Sequence, residues 1–353
     1  MTLTRRETLL GLGASPSLVG YAPGQDNVNL TAANQAVPRW SIGPDLPIRV
    51  QEIYPAVLDG VLYVAGGLSP DTGLNDRIGI SDRVFALTPG ADRWSERAHL
   101  PQPLHHPNLV SLEGSIYAVG GFTATGGDAW TMTAGVQVYD PRLDAWRDGP
   151  DMPQPFAETV AASLNGRLHL VTGRRPAGLT NRSWSDHADT NAHIMLDPVD
   201  RTWVTLRPAP TARNSAAGAV LDSALHVVGG RTVSGGNTPV HESYDPESDL
   251  WTRRAPLPRP ETGPSGVGGL ALAALHGALY AFGGEWFDNS GGGVYSQIWR
   301  YDPKADQWRE VGRMPTPRHG LGAVTVQDAI WTLGGAARAG GNATSAAAEM
   351  FTP

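Results

Sequence analysis

The side chains best suited to chemistry fall into two groups in this 353-residue chain. One group follows Leu-Pro or Met-Pro turns that recur along the sequence: Arg49, His105, His106, Glu158, Arg213, Asn214, Glu261, Arg318 and His319. Imidazoles and carboxylates pass protons, and guanidinium groups grip acidic groups through paired charge-assisted bonds. His105, Arg213 and Glu261 are therefore catalytic candidates, and Arg49, His106, Arg318 and His319 are binding candidates. If the turns converge on one mouth, Arg318, His319, Arg49, His105 and His106 make a basic arc facing Glu158 and Glu261. That suits an acidic or hydroxylated small molecule. For Arg49, Arg213 and Arg318 a second reading stands beside this one, in which each guanidinium bonds neighbouring loop carbonyls. The other group is Trp130, Trp184 and Trp286, which lie in long segments between strands, with Arg174 opening the longest of them. A flat indole at a cleft mouth suits the apolar face of a sugar, or else anchors its own loop.

Composition removes whole classes of function. The chain has no Cys, which excludes disulfides, thiolate catalysis and Cys-bound metal centres. Its net charge of −7 argues against nucleic acid or anionic lipid as the partner. No run approaches 18 uninterrupted apolar residues, so no membrane-spanning helix is expected. Asp186, His187 and Asp189 match no metal spacing, and none of the glycine-rich segments follows a strand and opens a helix as a phosphate loop does. Neither metal nor cofactor is expected. At the N-terminus, Arg5-Arg6, a modest apolar run to Val19 and the small-residue end Gly20-Tyr21-Ala22 resemble a twin-arginine export signal. On that reading residues 1–22 are an address, residues 23–38 a loose leader, and the mature protein is periplasmic or secreted.

The elements that must position these side chains repeat at about fifty residues. A Gly pair ends a β-like run at Gly66-Gly67, Gly120-Gly121, Gly229-Gly230, Gly283-Gly284 and Gly334-Gly335, with Thr172-Gly173 as the variant. A turn with Pro follows, and a Trp stands five residues beyond that Pro at Trp94, Trp146, Trp203, Trp251 and Trp308. The sixth Trp is displaced to the front as Trp40. A ring accounts for this, with the first strand completing the last repeat and removing exposed sheet edges. Gly-Gly, Tyr-Asp-Pro and Trp at this period resemble the Kelch family over residues 39–353. The resemblance implies an all-β fold, a six-bladed β-propeller with four antiparallel strands per blade. The repeat Trp are expected in the core, and each Gly pair is expected to let a bulky ring approach the backbone. Tight turns such as Asp59-Gly60 put two sets of connections on one face. The other face carries the blade crossings and the long loops, roughly 68–83, 122–135, 174–191, 231–239, 285–294 and 336–347. A ligand is expected there.

Three functions follow from the resemblance. The first is a binding or interaction module for a carbohydrate or a protein partner. The second is a sugar-converting enzyme, an epimerase or mutarotase, resembling N-acetylneuraminate epimerase. Glu285 after Gly283-Gly284 matches that family's catalytic Glu, while Gly291 stands where the family has an Arg. The third, the copper-radical chemistry of galactose oxidase, needs a Cys–Tyr crosslink and is excluded.

Overall fold

A computed structural model describes residues 38–73, 78–125 and 128–353. The expected export signal (1–22) and all but the last residue of the expected leader (23–38) lie outside these residues. Among them, six four-stranded antiparallel sheets follow one another along the chain. Blade 1 is Ala56–Leu58, Val61–Ala65, Val84–Leu87 and Ser95–Arg97; each later blade repeats this order from inside to outside. Blade 6 takes Gly322–Val326, Ala329–Leu333 and Ala348–Thr352 from the end of the chain and its outer strand, Arg39–Ile42, from the front. Trp40 pairs with Phe351 in that register, so the ring closes as the displaced Trp implies.

The inner hairpins turn on two residues with positive φ, as at Asp59-Gly60, Glu113-Gly114 and Asn165-Gly166, which gives the twist that antiparallel strands need. Hydrophobic clusters form between neighbouring blades. One joins Leu62 and Phe85 of blade 1 to Trp331 and Leu333 of blade 6 across the closure. The core is thus a ring of inter-blade layers with no single centre.

Two expectations are corrected. The repeat Trp are not all core residues: Trp94 is buried, whereas Trp40, Trp146, Trp203, Trp251 and Trp308 are half-buried near the outer edge. Each of the five within blades 1–5 donates its indole N–H to a carbonyl of the preceding repeat, for example Trp146 to Ala98 at 2.8 Å and Trp308 to Ala255 at 2.9 Å. They stitch blades together. The Gly pairs likewise admit backbone, not an indole ring. The second residue of every pair donates its N–H to the crossing that enters the next blade: Gly67 to Leu104, Gly121 to Phe156, Gly173 to Arg213, Gly230 to Val267, Gly284 to Arg318 and Gly335 to Val50. A side chain at the first position would collide with that same carbonyl in blades 1, 2, 4, 5 and 6. In blade 3 this position is Thr172, held at φ 58 with its hydroxyl buried and unbonded, a strained conformation for a β-branched residue.

His169 and His226, in the second strands of blades 3 and 4, are structural. Both are buried and bond a second imidazole, His193 at 2.9 Å and His241 at 2.8 Å. Burial pushes His169 and His226 down to about 4, and His193 and His241 down to about 3. The folded state therefore keeps these rings neutral at pH values where the unfolded chain protonates them. Below pH 6.5 the unfolded state binds more protons, so stability falls as pH drops from about 6.5 towards 4. We expect urea-unfolding free energy to decrease by several kcal/mol, about 2 per imidazole, between pH 7 and 5. A flat profile over that range would contradict the neutral assignment.

Candidate functional site

Each blade is entered by a crossing that forms an isolated bridge with the residue just after a Gly pair: Gln51 with Leu68, His105 with Phe122, Ala157 with Arg174, Asn214 with Arg231, Gly268 with Glu285 and His319 with Ala336. The next residue along each crossing takes positive φ in all six blades: Glu52, His106, Glu158, Ser215, Gly269 and Gly320. Five backbone hydrogen bonds join successive members, among them Glu52 N–H to Gly320 O at 2.7 Å and Gly320 N–H to Gly269 O at 2.9 Å. This inner ring forms the neck of the propeller. Three of its members carry ionisable side chains, and a side chain at Gly320 would press on the Glu52 carboxylate 2.6 Å away.

Above the ring, on the face of the long loops, lies a cavity of 740 Å³. Its floor carries Glu52, Glu158, Glu285, Arg174, Arg231, His106 and His319; Trp130, Trp184, Phe287 and Ile78 supply apolar walls. Below the ring a narrow channel of 90 Å³ continues along the axis, with Tyr54 the bulkiest residue on its wall.

The floor is one connected charge network. Arg231 donates to Glu285 at 2.6 Å and lies 3.9 Å from Glu158. The other Glu285 oxygen accepts the Gly340 N–H at 2.9 Å and stands 3.4 Å from His319 Nδ1. His106 Nε2 meets Glu52 at 2.9 Å. Burial works to raise the Glu52 carboxyl, yet the facing His106 holds it well below the usual carboxylate range. Glu158 is likewise lowered against its burial, by Arg174 and then Arg231. The Ser215 hydroxyl also donates to Glu158.

Among the described residues, Arg174 differs from the other fully buried arginines, Arg213 and Arg318. It is fully buried, its Nε comes within 3.2 Å of Glu158 Oε1 without hydrogen-bond alignment, and none of its three guanidinium nitrogens has a hydrogen-bond partner. Its guanidinium lies 3.2 Å from the centre of the Trp184 ring, which packs edge-on against Trp130 at 4.8 Å. Burial lowers its basicity and Glu158 partly restores it. The result is a desolvated cation with unused donors beside a cavity.

The long blade 3 loop holds this arrangement in place by reaching both neighbours. Asn181 bonds the backbone of Met132 in blade 2, donating at 2.9 Å and accepting at 3.0 Å. Asp189 accepts from Asn214 at 2.6 Å and from the Val233 N–H at 2.9 Å in blade 4. His187 contacts the Trp130 carbonyl at 3.1 Å.

Of the residues singled out from sequence, Glu158, Glu285, His106, His319, Arg174, Trp130 and Trp184 line the cavity. Seven others do not, among them Asn214, which bonds Asp189. Arg213 is buried against Glu242 at 2.6 Å and two carbonyls, and Arg318 against Glu349 at 2.6 Å with the Gly334 and Ala347 carbonyls. Arg49 is exposed and paired with Asp71, and Glu261 is exposed and paired with Arg313 at 2.6 Å. His105 sits behind His106, and Trp286 packs on Tyr295 with ring centres 4.5 Å apart. The continuous basic arc is therefore corrected: His106 and His319 reach the cavity, while Arg49, His105 and Arg318 are taken up elsewhere. Alternation along the chain explains Trp286, since in the short strand Glu285–Trp286 the carboxylate faces the cavity, the indole turns away, and Phe287 returns.

Glu52 and Arg231 are the residues that sequence reasoning missed. Both were readable. Glu52 lies five residues beyond Pro47, as His106, Glu158, Ser215 and Gly320 lie beyond Pro101, Pro153, Pro210 and Pro315. Arg231 follows a Gly pair, the position that Arg174 and Glu285 also hold.

The repeat pattern and the ring have counterparts among known proteins. The KLHDC2/KLHL20/DRC7 Kelch-repeats domain matches residues 151–335, and the Kelch motif matches residues 103–153. Kelch-like protein terF of Aspergillus terreus is 26% identical over 89% of this chain and 68% of its own length. Kelch-like protein 34 of Homo sapiens is 28% identical over 72% of this chain, and beta-scruin of Limulus polyphemus 26% identical over 76%. The chain spans about two thirds of terF but only 38% and 28% of the latter two. The solved structure of YjhT superposes with a TM-score of 0.73 at 17% identity, covering 88% of this chain and 97% of that one.

Proposed function

Because the chain belongs to the Kelch-repeat family, whose domains mediate interactions through a rigid ring, we propose that its loop-face cavity is the interaction site and that its ligand is a small acidic carbohydrate. Arg174 carries this reading. Glu158 offsets part of its charge, but its donors stay idle, and an anionic group in the cavity would complete them; the Trp130–Trp184 corner offers a flat apolar surface beside it for a sugar ring. A cavity of 740 Å³ also fits a small molecule better than a protein surface, which would rest on the exposed rim at Leu179 and Phe287. Export, expected from Arg5-Arg6, belongs to the same proposal; cell fractionation of a bacterial host before and after replacing both Arg by Lys checks it.

The direct test is indole fluorescence during titration with D-glucuronate, N-acetylneuraminate and neutral D-glucose. We expect the acidic sugars to quench and glucose to leave the signal unchanged. Arg174→Gln weakens acidic-sugar binding roughly ten- to hundredfold, the worth of a charge-assisted bond. Equal response to D-glucose and D-glucuronate would sink the charge argument.

A second reading has its own observation. Glu285 is buried on the cavity floor between Arg231 and His319, an arrangement suited to moving a proton on a bound sugar. If the protein interconverts anomers, exchange of N-acetylneuraminate followed by NMR accelerates with wild type and slows at least a hundredfold with Glu285→Gln. Unchanged exchange at high protein concentration leaves only the binding function.

A further inference from the structure

His105 Nε2 lies 2.6 Å from the Ala129 carbonyl. A carbonyl only accepts, so that nitrogen carries hydrogen. His105 is fully buried, which pushes it down to about 3, so it holds one proton and its Nδ1 is a bare acceptor. That Nδ1 is 2.8 Å from His106 Nδ1. His106 must therefore be the donor in this contact, with its proton on Nδ1. Its other nitrogen, Nε2, stands 2.9 Å from Glu52 Oε2. Two lone pairs cannot meet at this distance, so a second proton lies between His106 and Glu52.

We infer that His106 and Glu52 form a proton-donor dyad on the cavity floor, a general-acid site for the occupant, set in that state by His105 as a positioning residue. In its working form the dyad is an imidazolium–carboxylate pair. Delivery of the proton from Nε2 to an oxygen of a bound molecule leaves neutral His106, and return of the same proton restores the pair, so no other reactant is consumed. The groups facing the dyad are consistent with a stationed positive charge. Glu158 is the next ring member after His106, His319 Nδ1 stands 3.7 Å from Glu52 Oε1, the Tyr54 ring is 6.0 Å from that of His106, and Arg231 pairs with Glu285. Phe122 packs edge-on against His106 at 5.6 Å and stacks on His105 at 4.9 Å, which fixes both rings. Among the described residues, His106 is the imidazole whose two nitrogens both demand hydrogen and whose side chain also lines the cavity within 3 Å of a carboxylate.

The inference rests on the cavity being the ligand site, but its test reads the dyad with no ligand present, so the two fail separately. Full-length protein labelled with 15N-histidine is measured by long-range proton–nitrogen correlation at pH 7.5. His106 is expected to show both ring nitrogens protonated, and His105 a single Nε2–H tautomer. Glu52→Gln, which keeps shape and removes the charge, is expected to convert His106 to a neutral ring, with an unchanged indole emission spectrum reporting an intact fold. His105→Phe keeps the stacking partner and removes the acceptor; the His106 Nδ1 signal then shifts, which a merely structural residue would not cause. Neutral His106 in the wild-type protein, or an imidazolium that persists in Glu52→Gln, overturns the inference.

Discussion

Deleting residues 39–47 collapses the cooperativity of the whole ring, not only of blade 6. The deletion removes the outer strand Arg39–Ile42, the Trp40 contacts with Phe282 and Phe351, and buried Leu46, which belongs to the layer joining blades 6 and 1. Losing a half-buried Trp and a buried Leu, together with a whole strand pairing, costs about 4 kcal/mol or more. Because the inter-blade layers are continuous round the ring, opening one seam exposes both of its sides. Circular dichroism and urea unfolding are expected to show a protein unfolded at room temperature or melting in a broad, early transition. A sharp transition with nearly wild-type stability would mean that the closing strand is decorative.

The second large effect is expected at Arg318. Its guanidinium satisfies Glu349 and the carbonyls of Gly334, Ala347 and Thr316, all in blade 6 or its entry. Replacing it by Met keeps much of the volume but strands a buried carboxylate, a change that costs about 3–5 kcal/mol. The double variant Arg318→Met/Glu349→Leu removes both charges and is expected to regain a large part of that loss. Chemical denaturation of the wild type and the variants measures it. An equal loss in single and double variants would point to the carbonyl contacts in place of the ion pair. Arg213 with Glu242 repeats the arrangement in blade 4, so the same substitution there has the same sign.

The closing strand was plain in the sequence through the displaced Trp40, whereas Arg318 was legible only as a choice between ligand binding and carbonyl bonding, and the reason is physical. Gly pairs, turn Pro and Trp recur because backbone meets backbone at each crossing and an indole ties each outer strand to its neighbour; every blade needs them, so repetition exposes them. Site residues are required once and leave no period. Their register could still be counted from the landmarks. Arg49 stands two residues beyond its Pro and points to solvent, Arg213 and Arg318 stand three beyond and point into the blade, and the ring members stand five beyond. Glu261 fails the count because six extra residues separate Pro258 from the ring position at Gly269. What no spacing could reveal is the idle state of Arg174, which depends on the orientation of Glu158 and on a loop that spans three blades.

The inner ring has a consequence for how such a protein changes its chemistry. Its six positions share one backbone geometry and are tied chiefly through main-chain atoms, so a side chain there can be exchanged without redrawing the ring. Here the chemistry is loaded on one half, with Glu52, His106 and Glu158, while Ser215, Gly269 and Gly320 leave the other half nearly bare. The neck behaves as a set of sockets, three occupied by ionisable groups and one, at Gly320, kept empty so that its neighbour's carboxylate fits. A new reactivity in this scaffold calls for refilling sockets, one residue at a time, on a frame already paid for by the blades.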